Sequence, residues 1–137
     1  MTRFLLLVNY DNGQCEGDMQ SWDPADVKAH MAYYEALNRE LEESGELAGG
    51  AALAWGDQAK IVRGDGKAAP VVTDGPYAEA KEQLAGFTVV DVESVERAIE
   101  IAARQSAVPG PGGVPIMQPI EVRQVMDDAA ELGIDLS

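Results

Sequence analysis

The sequence predicts an α+β fold in which two strand–helix–strand halves share one antiparallel sheet, and three observations carry that prediction. Short apolar or alternating runs recur at Arg3–Asn9, Leu47–Trp55, Phe87–Val92 and Ile120–Met126. Two segments instead repeat apolar residues at steps of three and four, as helices do. The order along the chain is strand, helix, strand, hairpin, short helix, strand, helix, strand. A chain of 137 residues has room for one compact domain, placed here at residues 1–126, with an acidic tail at residues 127–137.

Each element has its own justification. Arg3–Asn9 is almost continuously apolar, which suits a central strand. Tyr10–Asp23, with Asn12-Gly13, Gly17 and several acids, reads as a loop. Its acids Asp11, Glu16, Asp18 and Asp23 lack the spacing of a calcium loop, so they are read as solvated. Asp23-Pro24 begins a helix, with an acceptor at the cap and proline at the first position. Val27, His30, Met31, Tyr34, Leu37 and Leu41 share one face of it, and Gly45 closes it. Gly49-Gly50 interrupts the next strand, which implies a bulge or a close backbone approach. Lys60–Arg63 and Ala68–Val72 flank Gly64-Asp65-Gly66-Lys67, a hairpin signal.

Val71–Phe87 is the segment with chemistry at fixed spacing. A β-branched pair runs into Asp74-Gly75-Pro76, where the proline ring excludes Gly75 from the α region and ends the strand. A short helix is expected from Pro76 to Gln83, with Asp74 beside its free amide donors, and a new strand from Phe87. Ser94 caps a second helix, in which Val95, Ala98, Ile99 and Ala102 are expected to face the core and Glu96, Arg97, Glu100 and Arg104 the solvent. Four prolines and three glycines between Ser106 and Pro119 forbid a continuing helix there. Its Gly110-Pro111-Gly112-Gly113 run lacks the Gly-Lys-Ser/Thr continuation of a phosphate cradle. Together these elements give the ferredoxin-like order βαββαβ, with the hairpin inserted between its halves. Helices on one face of such a sheet leave the other face needing cover, so a homodimer is expected.

The string Thr73-Asp74-Gly75-Pro76-Tyr77-Ala78-Glu79-Ala80-Lys81-Glu82, followed by Leu84-Ala85-Gly86-Phe87, resembles the hallmark of the DGPF proteins, a branch of the YCII-related family. Tyr77 stands where that hallmark usually has Phe, and Ala80 where it often has Thr. The resemblance runs from the opening strand to the strand ending near Val125. It implies the dimeric α+β barrel arrangement of ferredoxin-like subunits. It also implies a histidine on the first helix paired with the aspartate of the DG turn, which here are His30 and Asp74.

A carboxylate beside an imidazole fixes its tautomer and raises its basicity, which suits proton abstraction or donation. The expected function is therefore the binding of a small organic molecule in a cleft near the DG turn. Lyase- or isomerase-type acid–base chemistry would fall to His30 and Asp74, with Tyr34, Pro76 and Tyr77 lining the site. The alternative is a non-catalytic regulatory or protein-interaction module, to which the frequent gene neighbourhood of DGPF proteins with alternative sigma factors points. Against these functional roles stand structural ones. His30 would be a hydrogen-bonded histidine at the core edge, Asp74 a turn cap, and Tyr34 and Tyr77 packing residues.

Composition narrows the remaining classes. The 24 acidic and 10 basic residues give a formal charge of −14, a field that repels nucleic acid and anionic membranes. The longest apolar run, Phe4–Val8, is too short for a membrane span, so a cytoplasmic location is expected. A single cysteine, Cys15, excludes an intrachain disulfide, and with one histidine no metal site or cofactor is expected.

Overall fold

The computed structural model describes residues 1–11, 19–54, 58–75 and 82–126. Its strands are β1 (Thr2–Asp11), β2 (Leu47–Ala52), β3 (Ala59–Arg63), β4 (Val71–Gly75), β5 (Glu82–Val92) and β6 (Ile120–Gln124), and its helices α1 (Pro24–Ser44) and α2 (Val95–Ser106). Four strands form one sheet in the order β2-β5-β1-β6, with every neighbouring pair antiparallel. That is the ferredoxin-like order the sequence predicts. The hairpin β3–β4 is a separate two-stranded sheet.

The core lies between the four-stranded sheet and the helices. Alternate residues Phe4 and Leu6 of β1 and Val90 and Val92 of β5 meet Leu37 and Leu41 of α1 and Ala98, Ile101 and Ala102 of α2. On the opposite face Leu5 stands across from Val89 and Leu7 across from Phe87, and all four remain half-buried. Gly50 allows β2 to approach β5: a Cβ there would lie 2.6 Å from the Phe87 carbonyl oxygen, and its φ of 147° is unfavourable for other residues. The register shift between Leu47 and Gly49 is the bulge expected of the glycine pair.

Helix α1 starts and stops as its sequence dictates. Asp23 accepts from the Ala25 amide at 3.0 Å, and Gly45 closes the helix in the left-handed conformation. Glu46, just beyond, accepts two hydrogen bonds from Arg97 in the first turn of α2, at 2.8 and 2.9 Å. Hydrogen bonding by Arg97, against the opposing effect of burial, holds the Glu46 carboxyl at about 2. This pair ties the end of α1 to the start of α2.

Several expectations are corrected. β5 begins at Glu82, so Glu82 and Gln83 are strand rather than helix, because β1 extends to Asp11 and offers them antiparallel partners. Met31 is exposed, so the buried stripe of α1 narrows to His30, Leu37 and Leu41. In α2 the buried face is Ala98, Ile101, Ala102 and Gln105, while Val95 and Ile99 are exposed. Gln105 earns burial by donating to the Thr88 hydroxyl at 3.0 Å, which hid the true stripe behind a polar residue. The hairpin turn is longer than an Asp-Gly turn: Arg63 pairs with Val71, and Asp65 Oδ1 instead accepts from the Lys67 and Ala68 amides. The expected helix start at Pro76, together with Cys15, Trp55 and the acidic tail, lies outside the described residues.

Candidate functional site

His30 faces inward from the first half of α1, and its residue is only 6% exposed. Its Nδ1 lies 3.0 Å from the carbonyl oxygen of Pro109, in hydrogen-bonding geometry. No hydrogen bond reaches its Nε2 among the described residues. The ring is flanked on two sides. The indole of Trp22 packs edge-to-face at 5.5 Å between centroids, and the phenol of Tyr34 does so at 5.3 Å. Three segments thus converge on one imidazole: the residue before the α1 cap, α1 itself, and the loop after α2.

The loop that carries Pro109 is itself braced. Pro109 and Pro115 form an isolated bridge, the Gly110 amide donates to the Val114 carbonyl at 2.8 Å, and the Ile116 amide donates to the Val108 carbonyl at 2.9 Å. At the other end, Met117 adopts φ of 60°, with its amide donating to the Ser106 carbonyl at 2.9 Å. Nearby, the Tyr33 hydroxyl donates to the Arg104 carbonyl at 2.7 Å, so α1 is joined to the last turn of α2. The Pro109 carbonyl is therefore fixed relative to α1 from both sides.

Two further groups give the site polarity. Burial, with a smaller contribution from Tyr33, pushes the Tyr34 hydroxyl up to about 12, so it stays protonated through the physiological range and is a donor. The Trp22 Nε1–H is buried without a hydrogen-bond partner among the described residues. Leaving such a donor unpaired costs on the order of 1–3 kcal/mol, and that makes it a group an acceptor would satisfy. Among the described residues there is no cluster of three or more His, Cys, Asp or Glu side chains that could hold a metal ion.

Asp74 occupies a different setting. It stands on β4, directly across from Lys60 on β3, and accepts a hydrogen bond from the Lys60 ammonium. That contact lowers the carboxyl below its ordinary range. Both side chains are largely exposed, at 59% for Lys60 and 82% for Asp74. Among the described residues, no hydrogen bond joins Asp74 to His30. Of the five residues singled out, the structure brings together His30 and Tyr34, gives Asp74 a partner of its own, and does not describe Pro76 or Tyr77.

Sequence reasoning missed Trp22 and Pro109. Trp22 immediately precedes the capping Asp23, and a large apolar residue there commonly folds back over the first turns of a helix; that was its available signal. Pro109 acts through its backbone oxygen, which every residue type carries, and so left no signal.

With its four-stranded antiparallel sheet backed by two helices, the chain is a ferredoxin-like α+β domain. Its residues 2–118 match the YCII-related domain, and the chain belongs to that family. It is also 32% identical over 87 residues to an uncharacterized protein of Rhizobium meliloti (strain 1021), an alignment that covers 64% of this chain and 69% of that protein. No helix among the described residues is long and apolar enough to cross a membrane.

Proposed function

We propose that this YCII-related protein, as a member of the DGPF branch, binds a small organic molecule at His30 and exchanges a proton with it in cofactor-free lyase- or isomerase-type chemistry. The observation that carries this reading is the setting of His30: a buried imidazole held at Nδ1, with no hydrogen-bond partner at Nε2 among the described residues, between two aromatic rings. Tyr34 orients the ligand through its neutral hydroxyl. Asp74, with Pro76 and Tyr77, belongs to this reading as the contribution of the DG turn to the ligand site. A homodimer formed through the half-buried Leu5, Leu7, Phe87 and Val89 gives the open sheet face its cover.

The alternative, a non-catalytic regulatory or protein-interaction module, draws support from the separate partners of His30 and Asp74. One experiment divides the two. A panel of 2-oxo acids and lactones is screened in D2O by ligand-observed NMR, with wild type and His30→Phe. Binding together with deuterium uptake at the carbon beside the carbonyl, both lost in His30→Phe, is the expected outcome. Binding without uptake selects the regulatory module, and no binding removes the small-molecule reading.

A further inference from the structure

The geometry points to the Pro109 backbone carbonyl, rather than a carboxylate, as the positioning group of His30: it holds the neutral ring as the Nδ1–H tautomer and leaves Nε2 as the atom that accepts a proton from the ligand. A carbonyl oxygen has no hydrogen to give, so a hydrogen bond across the 3.0 Å separation requires the proton on Nδ1. In the neutral ring the remaining lone pair is then on Nε2. The rings of Trp22 and Tyr34, packed edge-to-face with the imidazole, oppose rotation about its Cβ–Cγ bond, so Nδ1 stays opposite the Pro109 oxygen and is not exchanged for Cδ2.

This assignment deepens the proposed function and rests on it for its chemical meaning. A ligand suited to the site brings a hydrogen-bond donor, or an acidic C–H, to Nε2. When the proton moves, the ligand's bonding pair stays on the ligand and the ring becomes an imidazolium that still donates from Nδ1 to Pro109. A carbonyl carries only a partial charge, so it orients the ring without setting a full negative charge beside it, as an aspartate would. The braced loop of residues 108–116 is thereby part of the site's machinery, although its side chains need not meet the ligand.

The chain has a single histidine, so 15N labelling of histidine in this 137-residue chain gives one unambiguous pair of ring signals. Without any ligand, the neutral form is expected to be enriched in Nδ1–H by about fivefold or more over a solvent-exposed histidine, the change that corresponds to a net hydrogen bond of ~1 kcal/mol. Asp74→Asn is expected to leave that ratio unchanged. A wild-type ratio no richer in Nδ1–H than that of a solvent-exposed histidine, or a ratio that shifts in Asp74→Asn, overturns the assignment. The readout needs no ligand, so a failed ligand screen and a failed tautomer assignment remain distinguishable.

Discussion

The layered body and the β3–β4 hairpin use the same kind of side chain to different ends. Val90 and Val92 of β5 are fully buried beneath the helices, whereas Val62 and Val72, which face each other across the hairpin, are 60% and 55% exposed. β-branched residues favour a strand in both places, but only the body adds a second layer that removes their surface from water. A two-stranded ribbon is marginal by itself, so the placement of anything it carries is weakly determined. The candidate groups fall one on each side of this divide. His30 is held from three segments of the body, and Asp74 rides on the ribbon with an exposed lysine.

Substitutions should sharpen the contrast. Leu37→Ala in the core is expected to cost about 3 kcal/mol by chemical denaturation, from lost burial and the cavity left behind. Val62→Ala on the ribbon should scarcely move the same midpoint. Gly50→Ala should cost about 2 kcal/mol, through the clash with the Phe87 carbonyl and a backbone angle unfavourable to alanine. Glu46→Gln, which weakens the link between the helices, is expected to cost about 1.5 kcal/mol.

The Glu46 contribution carries a pH signature. Its carboxyl is held at about 2 in the folded protein against an ordinary 4.5, so the unfolded chain takes up the proton first as pH falls. The stabilisation is complete above 4.5 and is lost progressively toward 2. Unfolding midpoints measured across that window should converge for wild type and Glu46→Gln at the acid end. The smallest effect belongs to Asp74→Asn, which breaks a contact between two exposed groups and should leave the thermal midpoint within error.

The sequence was most readable where local rules and tertiary packing agree. Asp23-Pro24 and Gly45 bound α1, Gly49-Gly50 marked the bulge of β2, and Ser94 capped α2. It was least readable where a partner elsewhere overrides local preference. Glu82 and Gln83 favour a helix in isolation, yet β1 recruits them into β5. Gln105 is polar and buried, so periodicity turned the face of α2 toward Val95 and Ile99. Of the candidate site, His30 and Tyr34 were legible from their shared helix face. The third participant is a main-chain oxygen, and only the folded loop reveals where it points.

The account depends on His30 being fixed within the body, independently of the hairpin carboxylate. A double-mutant cycle on thermal stability tests that most directly, using His30→Phe, Asp74→Asn and the double variant. Independent groups give midpoint shifts that add. A double variant whose shift departs from the sum, beyond the error of the single measurements, would show that the imidazole and the carboxylate are coupled and would contradict the account.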